Sequence, residues 1–89
     1  MIHYFNRDYG AALALTERFM MPEFYGDHFL RAAVLGQLGR HTEATEALEA
    51  GLELRPNFRK RYRELLHRAF FSNEHVEMVL EGLRKAGLK

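Results

Sequence analysis

The chain has no cysteine and no tryptophan, only two prolines, and a single serine, Ser72. Without cysteine there is no disulfide staple and no thiolate chemistry. β-Branched residues are scarce: Ile2, Thr16, Val34, Thr42 and Thr45 are all that precede Val76 and Val79. Strict apolar–polar alternation is absent as well, so strands are not expected. Long apolar runs are missing. The longest, Phe29 to Leu38, is broken by Arg31 and Gln37 and falls far short of the roughly 20 residues of a membrane span, so no membrane insertion is expected. No basic stretch followed by an apolar run opens the chain, which speaks against a signal peptide and for a cytoplasmic location. Charge of one sign is also lacking. Thirteen Lys+Arg against twelve Asp+Glu give a net charge of +1, so no global attraction to a polyelectrolyte is expected.

What is present is helical spacing. The 89 residues are 47% apolar and 28% charged, which suits one folded domain over 1–89. Ala12, Leu15, Thr16 and Phe19 follow i, i+3, i+4, i+7, with Asp8 as N-cap and Pro22 as the stop. A second segment, residues 23–38, is apolar around most of its circumference, so it is expected to be buried on two sides. Gly39 reads as its C′ residue. The third starts near Thr42 and runs to about Leu54, with Ala44, Ala47, Leu48, Gly51 and Leu52 on one side. Glu43, Glu46, Glu49 and Glu53 cover the other, and Pro56 ends it. A fourth carries Phe58, Tyr62, Leu65, Leu66 and Ala69 on one face. The fifth opens at Ser72 or Asn73, has Val76, Val79, Leu80 and Leu83 as its stripe, and stops at Gly87. The spacing therefore predicts an all-α fold of about five helices. Its short links predict antiparallel helical hairpins.

Catalytic constellations are not expected. No two of His3, His28, His41, His67 and His75 stand three or four apart on one helix, so no metal site is read. Ser72 reads as a helix cap rather than a nucleophile, and the glutamates of the third segment as a solvated face. Leu35-Gly36-Gln37-Leu38-Gly39 lacks the lysine and preceding strand of a phosphate loop. No cofactor is implied, and the chain is not expected to be an enzyme.

One basic stretch stands out: Arg55, Arg59, Lys60, Arg61, Arg63 and Arg68, with Tyr62 interleaved and Glu64 the lone acid. Three readings are open. The cations pair with the glutamates of the preceding helix or of another subunit, they meet an anionic protein or membrane surface, or Arg59, Lys60, Arg61 and Arg63 bind nucleic acid.

Pro22 and Pro56 stand 34 residues apart, the period of a tetratricopeptide repeat. Ala44 and Leu48 occupy the A-x3-F element, Gly51 the next small position, and Pro56 closes the unit. Ala32 stands where the pattern has Gly and Leu35 where it has Tyr, with His28 for Trp and Arg31 for Leu. Residues 23–56 thus resemble one full tetratricopeptide repeat, residues 1–22 the second helix of a partial one, and residues 57–88 a diverged closing hairpin. Ala32 through Arg40 and Leu80 through Leu88 also resemble the C-terminal repeat region of bacterial class III adenylate/guanylate cyclases and related multidomain regulators. These resemblances imply a non-catalytic protein–protein interaction module, a regulatory or docking segment of a larger signalling protein. They imply a partner groove at Gly26, Phe29, Ala33, Gly36 and Gln37, and helix packing through Ala32, Ala44, Leu48, Gly51 and Pro56.

One full repeat and a lone helix are too little for a stable solenoid. Unless Ile2 to Asn6 supplies a stub partner for the helix at 8–21, a homodimer is therefore expected, burying a face with Tyr4, Phe5, Leu13 and Phe19 or their neighbours.

Overall fold

The structure, a computed structural model, describes residues 2–19, 21, 23, 25–69 and 72–88. The expected stop at Pro22 and the aromatics Phe24, Phe70 and Phe71 lie outside the described residues. So does the side chain of Ala69. Among the described residues there is no strand. Six helices follow in order: α1 (Ile2–Phe5), α2 (Tyr9–Phe19), α3 (Tyr25–Gln37), α4 (His41–Leu54), α5 (Phe58–Ala69) and α6 (Asn73–Ala86). The all-α expectation is met, with the short α1 added in front.

Local chemistry explains most boundaries. Asp8 caps α2 through its side chain, whose Oδ1 accepts from the Ala11 amide at 3.3 Å. Gly39 ends α3 at φ 76, and the Arg40 amide reaches back to the Leu35 carbonyl at 3.0 Å. α4 starts at His41, one residue before Thr42. No side chain caps it, but the Arg40 guanidinium donates to Glu43 in its first turn at 2.9 and 2.8 Å. Arg55 leaves the helical region at φ −139, as expected of the residue before Pro56. Ser72 Oγ accepts from the Glu74 amide at 3.2 Å, and Gly87 stops α6 in the left-handed region at φ 114. α5 is interrupted at Arg61, whose φ −123 and ψ 23 break the helix after its first turn.

α3 is the centre of the molecule. Phe29 and the five residues from Ala32 to Gly36 are buried, because α3 packs extensively on both α4 and α6 and also touches α2. The expected hairpin neighbours α3–α4 and α5–α6 pack on each other, but one expected contact differs. α5 does not fold back along α4 as a hairpin partner; its main packing is against α6, and α6 covers α3. The reason is side-chain supply. α6 brings Val76, Val79, Leu80, Leu83 and Ala86 to the core together with Gly82. α5 buries only Phe58, Leu65 and Leu66 among its described side chains. Phe58 stacks on Phe29 with centroids 3.8 Å apart.

A second correction concerns α2. It buries Ala12 and Leu13, while Leu15 and Phe19 of the expected stripe stay exposed. The inner side of α2 is met by α3 and α1. Tyr4 is fully buried, and its hydroxyl donates to the Met78 carbonyl at 2.5 Å. Phe5 stacks on His75 at 3.8 Å. The face foreseen for a dimer is thus largely occupied: Tyr4 and Leu13 are core, and only Phe19 of that set is widely exposed.

Candidate functional site

The implied groove positions come together on α3, but they are not open. Phe29, Ala33 and Gly36 are buried. Gly36 lies against the Gly82 carbonyl of α6. Gln37 is half-buried, donates to Glu81 at 3.2 Å and accepts from Lys85 at 2.8 Å. Gly26 is half-buried in the first turn of α3. The surface expected to hold a partner is filled by the chain itself: α6 lies against Ala33, Gly36 and Gln37, and Phe58 stacks on Phe29. The residues assigned to helix packing fare differently. Ala32, Ala44, Leu48 and Gly51 are buried, and Pro56 is exposed. A β-carbon on Gly51 would come within 2.7 Å of the Phe29 ring, so glycine there makes room for the aromatic.

The basic stretch is partly neutralised. Arg61 holds Glu64 at 2.6 Å, Arg68 approaches the same carboxylate at 3.3 Å, and Arg63 holds Glu77 of α6 at 2.5 Å. The Arg61 and Arg63 hydrogen bonds hold Glu64 and Glu77 below the usual carboxylate range and keep both guanidinium groups more firmly protonated. Pairing is therefore internal, but not with the acidic row of α4. Among the described residues, Glu43 alone of that row joins an ion pair, with Arg40 and Arg31. Arg59 and Lys60 are exposed and take part in no ion pair among the described residues.

Two further surfaces are visible. On α2, Leu15, Phe19 and the following Met21 are 43%, 66% and 53% exposed. The Arg18 guanidinium lies 5.4 Å from the Phe19 ring centre. Beside Leu15 a cavity of about 40 Å³ opens between His3, Tyr4, Ala12 and Thr16. Where α4 meets α5, a wider cleft of about 500 Å³ is lined by Glu49, Leu52, Glu53, Pro56 and Arg59. Among the described residues, no group of three or more His, Asp or Glu could hold a metal ion, and no helix is long and apolar enough to cross a membrane.

Sequence reasoning missed two features of the core: Gly82 at the α3–α6 crossing and Tyr4 as an anchor. Gly82 had a signal, since glycine in a helix interior costs about 1 kcal/mol relative to alanine and calls for a packing reason. Tyr4 had none beyond its aromatic character. No protein-family model, no curated protein and no solved structure matches this chain.

Proposed function

We propose that the chain is a non-catalytic protein–protein interaction module of tetratricopeptide-like helical hairpins, and that its partner docks on the outer face of α2. The carrying observation is the exposure of Leu15 and Phe19, which stand i, i+4 and share one helix face, with Met21 beside them in sequence. Three large apolar side chains exposed on one short stretch are a surface that water disfavours. The patch is narrow against the roughly 800 Å² per partner of a standard interface. It suits one amphipathic helix of a partner protein, with a small apolar side chain entering the cavity beside Leu15. The repeat-like reading draws support from the α3–α4 hairpin, where Ala32, Ala44, Leu48 and Gly51 are buried. In this reading the module is a cytoplasmic scaffold or regulatory segment of a larger bacterial signalling protein such as a nucleotide cyclase, supported by the resemblance of residues 32–40 and 80–88.

The test compares two baits. Proteins cross-linked from source-cell extract by the native chain should be lost from a Leu15→Ser, Phe19→Ser double variant. Both side chains are exposed, so the variant's melt should stay native-like. Identical capture by both baits defeats the assignment of this face.

A further inference from the structure

The unmatched charges of α4 and α5 point to a second surface. Glu46, Glu49 and Glu53 are exposed at i, i+3 and i+7 of α4, on one side of the helix. None of them joins an ion pair among the described residues. Glu53 also falls in the last turn of α4, which has no basic residue. That end of a helix carries the negative pole, so an anion there is disfavoured. α5 shows the opposite fault. Its first turn has no acid, and Arg59 and Lys60 sit where the positive pole disfavours cations. Glu53, Arg59 and Lys60 thus stand against their own helix dipole, and none of them has an ion-pair partner among the described residues.

Glu49, Glu53 and Arg59 also share one recess. The cleft of about 500 Å³ has Glu49 and Glu53 on its α4 side, Arg59 on its α5 side, and Leu52 and Pro56 as apolar lining. A surface with both signs side by side is complementary to itself across a two-fold axis. We propose that this α4–α5 corner is the face through which two copies of the chain pair, Glu49 and Glu53 of each copy meeting Arg59 of the other. A basic peptide would answer only the glutamates. Nucleic acid would answer only the cations. A second copy answers both, and it covers Leu52 and Pro56 as well. The face is separate from α2, so changes at Leu15 and Phe19 leave it intact.

The experiment exploits the symmetry. In low salt at tens of micromolar, sedimentation equilibrium of the native chain should give about twice the 10.4 kDa chain mass, falling toward the monomer as salt is added. Arg59→Glu and Glu53→Arg alter exposed side chains and should each give a folded monomer by circular dichroism and mass. Mixed in equal amounts, the two variants should pair. One chain then carries a cation at both positions 53 and 59 and the other an anion at both, so opposite charges meet again across the axis. A monomeric native chain in low salt overturns the proposal. So do single variants that still dimerise, or a mixture that stays monomeric.

Discussion

Gly36 of α3 and Gly82 of α6 lie against each other so closely that a β-carbon on Gly36 would strike the Gly82 carbonyl oxygen. The reverse substitution is no easier. A β-carbon on Gly82 would sit 2.5 Å from the Ala33 carbonyl oxygen and 2.5 Å from the Tyr4 hydroxyl. Three elements therefore converge on one glycine, and two of the obstacles are backbone or a fully buried ring. Gly82→Val should destabilise the fold by at least the 1–3 kcal/mol, roughly, of overpacking. In a domain this small each kcal/mol lowers Tm by about 4–8 °C. A thermal melt within a degree of native would show that α6 lifts off α3 freely.

Gly51 works differently, because its neighbour is a side chain. Its β-carbon would meet the Phe29 ring at 2.7 to 3.0 Å, and that ring is fixed by stacking on Phe58. Gly51→Leu should cost about 1–3 kcal/mol, and Ala44→Leu at the fully buried Ala44 a similar amount. Shrinking the neighbour should relieve the first. In a Phe29→Leu background the added cost of Gly51→Leu should fall, and a double-mutant cycle by chemical denaturation measures the coupling. Purely additive effects would mean that the two residues do not press on one another.

Helix positions were legible because periodicity and caps are local. Ser72, Gly39 and Gly87 act where their chemistry suggests, and α4 stops beside Pro56. The burial of α3 on two sides was legible too, from apolar residues around its circumference. What covers it was not. Periodicity says which face is hidden and is silent on which helix hides it. α5 follows α4 in sequence, yet α6 is the helix with the apolar stripe and the glycine that fit α3. The same limit displaced the expected surfaces. Of the groove residues inferred by resemblance, Ala33 and Gly36 are closed off by α6 and Phe29 by Phe58. Leu15 and Phe19 look like core by spacing, but nothing among the described residues covers them, since α3 and α1 pack against the other side of α2, where Ala12 and Leu13 are buried.

Tyr4 gives a pH signature. Burial is the main cause that pushes its phenol up to about 12, opposed by the Gln37 hydrogen bond. The phenol is thus held protonated in the folded state beyond the usual value near 10. The unfolded chain loses this proton first as pH rises. Tyr4's contribution is therefore complete below pH about 10 and fades as pH climbs toward 12, by an amount on the order of 2 kcal/mol. Tyr4→Phe should cost roughly 1 kcal/mol at neutral pH through the lost bond to Met78. Its denaturation midpoint should then fall less steeply than that of the native chain above pH 10. Parallel curves would place the Tyr4 hydroxyl in water.

The basic stretch should not bind nucleic acid at moderate concentration. Arg61 and Arg63 are held by Glu64 and Glu77, so phosphate would have to compete with carboxylates already in place. No retardation is expected in a gel shift with mixed oligonucleotides at low salt and micromolar protein. A shift that vanishes when Arg59, Lys60, Arg61 and Arg63 are changed to Ala, and that weakens steeply with salt, would make nucleic acid the partner of this stretch.

The end of α6 isolates a pure backbone effect. Gly87 sits at φ 114, and the Leu88 amide returns to the Leu83 carbonyl at 2.9 Å. That turn lets the buried Leu88 join the core. Space is not the constraint, since a β-carbon on Gly87 would find Thr45 Oγ1 at an ordinary 3.9 Å. Thr45 already donates to the Ala86 carbonyl at 3.0 Å, so the turn is held from α4 as well. Gly87→Ala should therefore cost about 1–2 kcal/mol through the left-handed conformation alone. Gly87→Asn should cost less, because asparagine tolerates that region better. Ordered melting temperatures, glycine above asparagine above alanine, are the expected outcome. An alanine variant as stable as the native chain would mean that the turn relaxes to negative φ and that Leu88 does not anchor α6.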